Sequence, residues 1–225
     1  MPLRTQQMLF ADRREAGRQL ADRLHDTPRP DVILALPRGG VPVAFEVAQA
    51  LDVPLDLLIV RKISAPNLPE VGIGAVVDGA SPQVTLNAEA VEMTRASDIH
   101  LATEKARRLD EIERYRARYL GDRPDVDVAG RCIMLIDDGI ATGSTAEAAL
   151  KAMRKAGAAR VTLAVPVASP MALEALRDLA DDIVCLSVPA DFGAVGSHYR
   201  HFDQTEDEEV VELLRQARTP DSDRS

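Results

Sequence analysis

Residues 133–146 read Ile-Met-Leu-Ile-Asp-Asp-Gly-Ile-Ala-Thr-Gly-Ser-Thr-Ala. The four apolar residues Ile133–Ile136 show no polar alternation, which is the pattern of a strand buried on both faces of a parallel sheet. Two acids, Asp137 and Asp138, follow at once. Gly139, Gly143 and the small hydroxyl residues Thr142, Ser144 and Thr145 come next. Behind them Ala148, Met153 and Ala156, set among good helix formers, predict a helix that Gly157 stops. Strand, acid pair, small-residue loop and helix together form a cradle for phosphate at the carboxyl edge of a sheet. Small side chains let backbone N–H groups approach an anion, and the helix N-terminus adds partial positive charge.

The acids narrow the ligand. A bare phosphate site avoids carboxylates, because like charges repel. Asp137 and Asp138 beside such a loop imply a ligand that also carries hydroxyls or a metal ion. Asp accepts sugar O–H hydrogen bonds, and hard Mg2+ prefers oxygen donors. Two rival phosphate motifs fail on spacing. A Walker loop needs Lys after its second glycine, with the first glycine five residues earlier. Here Ser144 follows Gly143, and Gly139 lies four residues back. A dinucleotide fingerprint needs a third glycine where Gly72-Ile73-Gly74 is followed by Val77.

Outward from this stretch, strands and helices alternate. Residues 12–25 read as a helix with a capping-box start at Asp12 and Glu15. Val32–Leu36 reads as a buried strand, and Pro37-Arg38-Gly39-Gly40 leads into a helix ending near Leu51. Adjacent glycines between strand and helix again let backbone meet an anion, and Arg38 suits a bidentate phosphate contact. Leu55–Val60 predicts a third strand ending in Arg61-Lys62. Ile63–Val71, with Pro66, Asn67 and Pro69, reads as an exposed loop, and Ile73–Val77 with Val84–Leu86 as a hairpin. Residues 88–120 predict one long helix or a broken pair, capped by Asn87 and ended by Gly121. Its Arg-rich face is interleaved with Glu104, Asp110, Glu111 and Glu113, so it reads as solvent-facing ion pairs and not as a nucleic-acid patch. Val161–Val167, Met171–Leu179 and Ile183–Val188 continue as strand, helix and strand. The order predicts an α/β fold with a mostly parallel, doubly wound sheet and flanking helices. A last short helix follows, with Thr205 and Glu208 as its cap.

Composition sets outer bounds. The 225 residues, 46% hydrophobic and 28% charged, describe a globular chain. A net charge of −9 argues against a grip on nucleic acid through its phosphates. Cys132 and Cys185 fall in predicted strands and read as small core residues. No apolar run is long enough to span a membrane and no signal peptide is evident, so a cytoplasmic protein is expected. Phe192 and Phe202, two of four Phe, and His198 and His201, two of four His, cluster with Tyr199 past the last strand. They either pin the tail to the core or form a hood on which a planar acceptor stacks. The expected layout is one domain over 1–218, with a core of about 30–188, a hood from about 1–29 and 189–218, and a disordered tail over 219–225.

The Ile133–Ala146 stretch resembles the 5-phosphoribosyl-1-pyrophosphate (PRPP) motif of type I phosphoribosyltransferases: a buried run, two acids and a Thr-Gly-small-Thr loop. The Arg38-Gly39-Gly40 loop resembles the pyrophosphate loop of that family. The tail from Phe192 to Glu209 is similar to that of uncharacterised bacterial members. The resemblance implies Mg2+-dependent transfer of a phosphoribosyl group from PRPP to a nitrogen nucleophile, a nucleobase or related amine, with release of pyrophosphate. It implies that Asp137 and Asp138 hold the ribose hydroxyls and PRPP-bound Mg2+. Ala141, Thr142, Gly143, Ser144 and Thr145 would bind the 5-phosphate. Arg38, Gly39, Gly40, Lys62 and Arg61 would receive pyrophosphate, with the loop entered through Lys62 closing over the site. Phe192, His198 and Tyr199 would form the acceptor hood, and Glu70 or Asp191 is a candidate general base. PRPP and a small-molecule acceptor are the expected partners, without nucleic acid or membrane, and a homodimer is a further expectation. A second reading stays open: the same fold used without catalysis to sense PRPP or a nucleotide.

Overall fold

The computed structural model describes residues 10–79 and 82–217. In chain order the elements are α1 (Arg13–Leu24), β1 (Val32–Ala35), α2 (Gly40–Leu51), β2 (Leu55–Leu57), β3 (Val60–Ala65), β4 (Leu68–Val77), β5 (Gln83–Leu86), α3 (Ala88–Thr94), α4 (Asp98–Tyr119), β6 (Cys132–Ile136), α5 (Ser144–Lys155), β7 (Arg160–Val167), α6 (Pro170–Leu176), β8 (Asp182–Ser187) and α7 (Asp207–Gln216). Five strands form a sheet in the order β2-β1-β6-β7-β8, and every neighbouring pair is parallel. A separate antiparallel sheet has the order β3-β4-β5.

The unbroken apolar strands are explained by what covers them. Ile33, Ala35, Met134 and Ile136 pack with residues of α1, α2 and α7. Their neighbours Val32, Leu34, Ile133 and Leu135 point the other way, into a cluster built with α5 and α6. Both faces are dry, so no position in these strands is left for a polar residue. Each fully buried Leu or Ile contributes about 1.5–3 kcal/mol relative to exposure. The α1 N-terminus is close to the expected capping box: Asp12 Oδ1 accepts from the Glu15 N–H at 2.8 Å, while Glu15 Oε2 reaches one residue past the N-cap and accepts from the Ala11 N–H at 2.7 Å.

Several expectations are corrected. Ile63–Val71 is not a loop. It is part of a hairpin in which β3 and β4 pair from Val60↔Val77 to Ala65↔Leu68, turning at Asn67 with φ 58°. The buried side chains Ile63 and Ala65 alternate with Lys62 and Ser64, a period-2 signal that the prolines obscure. The predicted strand Leu55–Val60 is broken between Leu57 and Val60, and its halves belong to different sheets. The 88–120 segment is the broken-pair alternative, split at Arg95, which is left-handed at φ 51°. Thr205 is buried and caps nothing; α7 starts from Glu206 without a side-chain cap. Cys132 and Cys185 are unpaired and only half-buried. The tail over 219–225 and the first part of the expected hood lie outside the described residues. Among the described residues no helix is long and apolar enough to cross a membrane.

The start of the described chain meets the segment that follows β8. Phe10 and Tyr199 form a β-bridge, with the Phe10 N–H donating to the His198 carbonyl and the Arg200 N–H to the Phe10 carbonyl. This joins α1 to the tail and sets both over the carboxyl edge of the parallel sheet.

Candidate functional site

From β1 the chain moves to β2 on one side, while from β6 it moves through β7 to β8 on the other. The direction therefore reverses between β1 and β6. In open α/β sheets a crevice opens beyond the strand ends at such a point. The two sequence features singled out above leave the sheet there: Pro37–Gly40 after β1, and Asp137–Asp138 after β6.

The two segments touch. The Leu36 N–H donates to the Ile136 carbonyl at 2.9 Å, which sets the register. The Pro37–Arg38 peptide is cis. A Cβ built on Gly39 would lie 2.0 Å from Asp138 Oδ2, and one on Gly40 would lie 2.7 Å from the Ile136 carbonyl oxygen and 2.9 Å from Asp137 Cα. Only glycine at 39 and 40 lets the loop rest against the acid pair.

Asp138 is held from three directions. Its Oδ2 accepts from Arg13 Nε at 2.7 Å. Its backbone carbonyl accepts from the Tyr199 hydroxyl at 2.5 Å. Its N–H donates to Asp137 Oδ1 at 2.8 Å. Arg13 is itself fixed: Nη1 donates to the Asp203 carbonyl at 2.7 Å, and its guanidinium lies 3.8 Å from the centre of the Phe202 ring. Burial, reinforced by the charge on Asp138, pushes the Asp137 carboxyl well above the usual carboxylate range. Burial also raises Asp138, and Arg13 opposes that rise.

Beyond the acids, Ile140 bridges to Ala168, and the Ser169 hydroxyl donates to the Ala141 carbonyl at 2.6 Å, so the end of β7 anchors the next loop. Gly143 precedes α5 with φ 83°, a left-handed value that favours glycine, and it has no side chain to cap the helix. The first-turn N–H groups of α5 point toward this loop. Thr142 and Ser144 are exposed, with their hydroxyl oxygens 3.4 Å apart. Acids, glycine pair and hydroxyl loop are therefore neighbours on one sheet edge, as the sequence suggested. A crystal grown in sulfate is expected to show an anion against the backbone of residues 141–145; an empty loop with sulfate bound elsewhere would remove the phosphate reading.

Other expected residues sit differently. Arg38 Nη1 pairs with Asp207 of α7 at 3.3 Å. Arg61 turns to α4, with its guanidinium 4.1 Å from the Tyr115 ring centre and Nε 3.9 Å from Glu111. Lys62 is exposed on β3, and Glu70 is exposed on β4. Phe192, His198 and Tyr199 are buried. His198 Nε2 bonds to the Phe192 carbonyl at 2.8 Å, and the Tyr199 ring packs 5.3 Å from Phe10. That is the pinning role, one of the two readings of the aromatic cluster. Asp191 lies on the exposed surface.

Arg13, Phe202 and Asp207 complete the site's surroundings without a warning in the motif. Arg13 is 125 residues from Asp138 in sequence and reads as an ordinary helix-surface charge. Phe202 was visible only as one member of the aromatic cluster.

The phosphoribosyl transferase domain family matches residues 7–200, and the chain belongs to that family. It is 44% identical over 210 residues to two Mycobacterium tuberculosis proteins provisionally named phosphoribosyl transferases. The match covers 93% of this chain but 47% of each relative, so the chain spans about half the length of those proteins. A solved Thermus thermophilus structure, TT1426, is similar with a TM-score of 0.79 and 44% identity, covering 93% of this chain and 99% of that one. The α/β fold with its parallel five-stranded sheet is thus the fold of a phosphoribosyl transferase domain, shared with the Thermus structure.

The donors present suit Mg2+. Asp137 and Asp138 offer hard carboxylate oxygens, and Mg2+ is commonly held by one or two carboxylates with substrate phosphates and water completing its shell. Among the described residues no larger group of metal-binding side chains gathers.

Proposed function

We propose that the protein transfers the 5-phosphoribosyl group of PRPP to a nitrogen nucleophile, a nucleobase or related amine, and releases pyrophosphate. The observation that carries this reading is the contact of the Gly39-Gly40 loop with Asp137–Asp138 beside the 141–145 loop. In this reading Asp137 and Asp138 accept hydrogen bonds from the ribose hydroxyls. Residues 141–145 receive the 5-phosphate at the start of α5, and the backbone of Gly39 and Gly40 faces the leaving pyrophosphate. Positive charge that develops at the ribose C1 lies near the acid pair, which stabilises it. Asp137 and Asp138 would hold Mg2+, which when bound neutralises charge on the pyrophosphate oxygens. Arg38 reaches pyrophosphate by leaving Asp207. Lys62 is carried on the β3–β4 hairpin, so closure would be a movement of this hairpin and not of a loop.

The Arg13–Asp138 ion pair favours one alternative, a PRPP- or nucleotide-sensing protein without catalysis, because the cation already satisfies one acid. A single assay separates the two. With PRPP, Mg2+ and a panel of nucleobases and amines, pyrophosphate release above the no-acceptor rate is expected for at least one acceptor. PRPP binding without pyrophosphate release across the panel would select the sensing role.

A further inference from the structure

Arg13 is the first residue of α1, yet its side chain is only 12% exposed. A helix-surface arginine ordinarily keeps its guanidinium in water. This one is held from three sides: by Asp138 through Nε, by the Asp203 carbonyl through Nη1, and by the Phe202 ring beneath it. A planar fork bonded in two directions has its plane fixed as well as its charge.

The consequence falls on Asp138. A carboxylate just past a strand end has two free torsions and, left alone, turns toward water. Here Oδ2 is confined on one side by Arg13 Nε and on the other by the backbone of Gly39, where a Cβ would lie 2.0 Å away. The main chain of Asp138 is fixed too, through the Tyr199 hydroxyl on its carbonyl. Side chain and backbone are therefore ordered in the free protein. The groups that order them come from α1 and from the segment after β8, which the Phe10–Tyr199 bridge joins. The next residue, Arg14, provides a contrast. It makes contacts of the same kinds, to Glu46 at 2.5 Å and over the Phe45 ring at 5.1 Å, but its partners lie on α2 and not on the acid pair.

We propose that Arg13 is a positioning residue of the ribose subsite: it touches no ligand atom and holds the Asp138 carboxylate in the orientation that accepts the ribose hydroxyls. The inference rests on the PRPP reading above and applies whether the ligand is turned over or only sensed. Its physical basis is preorganisation, since a side chain ordered on folding need not be ordered on binding. Loss of Arg13 therefore acts on recognition of the hydroxyls and spares recognition of the phosphate at the 141–145 loop.

The test titrates ribose 5-phosphate and inorganic phosphate, each with Mg2+, into the full chain, followed by calorimetry and phosphorus NMR. The readout is the ratio of the two affinities. Both probes carry a phosphate of similar charge, so the long-range field of a removed cation cancels and the hydroxyl contribution remains. The parent prefers ribose 5-phosphate. Arg13→Gln lowers that preference about tenfold, while Arg14→Gln keeps it within about twofold even where its melting temperature falls as far. Arg13→Lys, which keeps the charge and loses the planar fork, lies between the parent and Arg13→Gln. A preference retained in Arg13→Gln overturns the assignment and leaves the PRPP reading in place. An equal loss in Arg14→Gln also overturns it, by moving the effect to the packing of α1. A parent with no preference for ribose 5-phosphate removes the ribose reading of the acid pair, and this inference with it.

Discussion

Replacing Asp137 and Asp138 together by Asn is expected to weaken PRPP binding in the presence of Mg2+ by about a hundredfold or more. Each hydrogen bond to a charged group is worth roughly 1.5–3 kcal/mol, and two of them are removed. Every 1.4 kcal/mol is about tenfold. The fold should survive, for local reasons. Asn at 137 keeps an oxygen to accept from the 138 N–H, and Arg13 keeps the Asp203 carbonyl and the Phe202 ring. The lost Arg13–Asp138 ion pair is offset in part by relief of the repulsion between two buried acids. The sign of the pH effect follows. A carboxyl whose pKa is raised in the folded protein binds more protons folded than unfolded, so its contribution to stability falls as pH rises from the ordinary carboxylate range toward the raised value. The variant should therefore compare better with the parent at pH 8 than at pH 5 in thermal melts. Calorimetry showing unchanged PRPP affinity would remove the acids from the site.

How much of this could be read from the chain depends on the range of the interactions concerned. The strand Ile133–Ile136, the acids behind it and the α5 helix were legible because each is dictated by neighbours within a few residues. The Arg38-Gly39-Gly40 loop was legible for the same reason. The loop at Ile63–Val71 was misread because Pro66 and Pro69 are strong local signals, while the pairing of β3 with β4 depends on burial of Ile63 and Ile73 against the rest of the core. Arg13 could not be found at all. Its partner is 125 residues away, and the geometry that joins them comes from the Phe10–Tyr199 bridge. Arg38 and Arg61 show a related limit. Sequence reveals a positive charge at a strand end, but not that Asp207 and Glu111 are folded against it.

Adding one methyl group at each glycine of the 39–40 pair should separate binding from stability. At Gly39 the new Cβ would meet the end of the Asp138 side chain, 2.0 Å from Oδ2. That carboxylate can rotate away, but only by leaving Arg13. Gly39→Ala should therefore fold, melt a few degrees lower and bind PRPP at least about tenfold more weakly, since one charge-assisted hydrogen bond is misplaced. At Gly40 the obstacles are backbone: the Ile136 carbonyl oxygen at 2.7 Å and Asp137 Cα at 2.9 Å. These cannot rotate aside, and relief requires the ends of β1 and β6 to spread where the Leu36 N–H bonds to the Ile136 carbonyl. Overpacking of this kind costs about 1–3 kcal/mol. For a chain of this size each kcal/mol lowers the melting temperature by about 2–4 °C. Gly40→Ala should thus melt roughly 2–12 °C lower than the parent and lose PRPP binding as well. The two variants are compared by thermal melts and by PRPP calorimetry with Mg2+. Parent-like affinity in Gly39→Ala would mean that the loop and the acid pair do not share a ligand. A parent-like melt in Gly40→Ala would mean that the two strand ends are not packed as tightly as the structure places them.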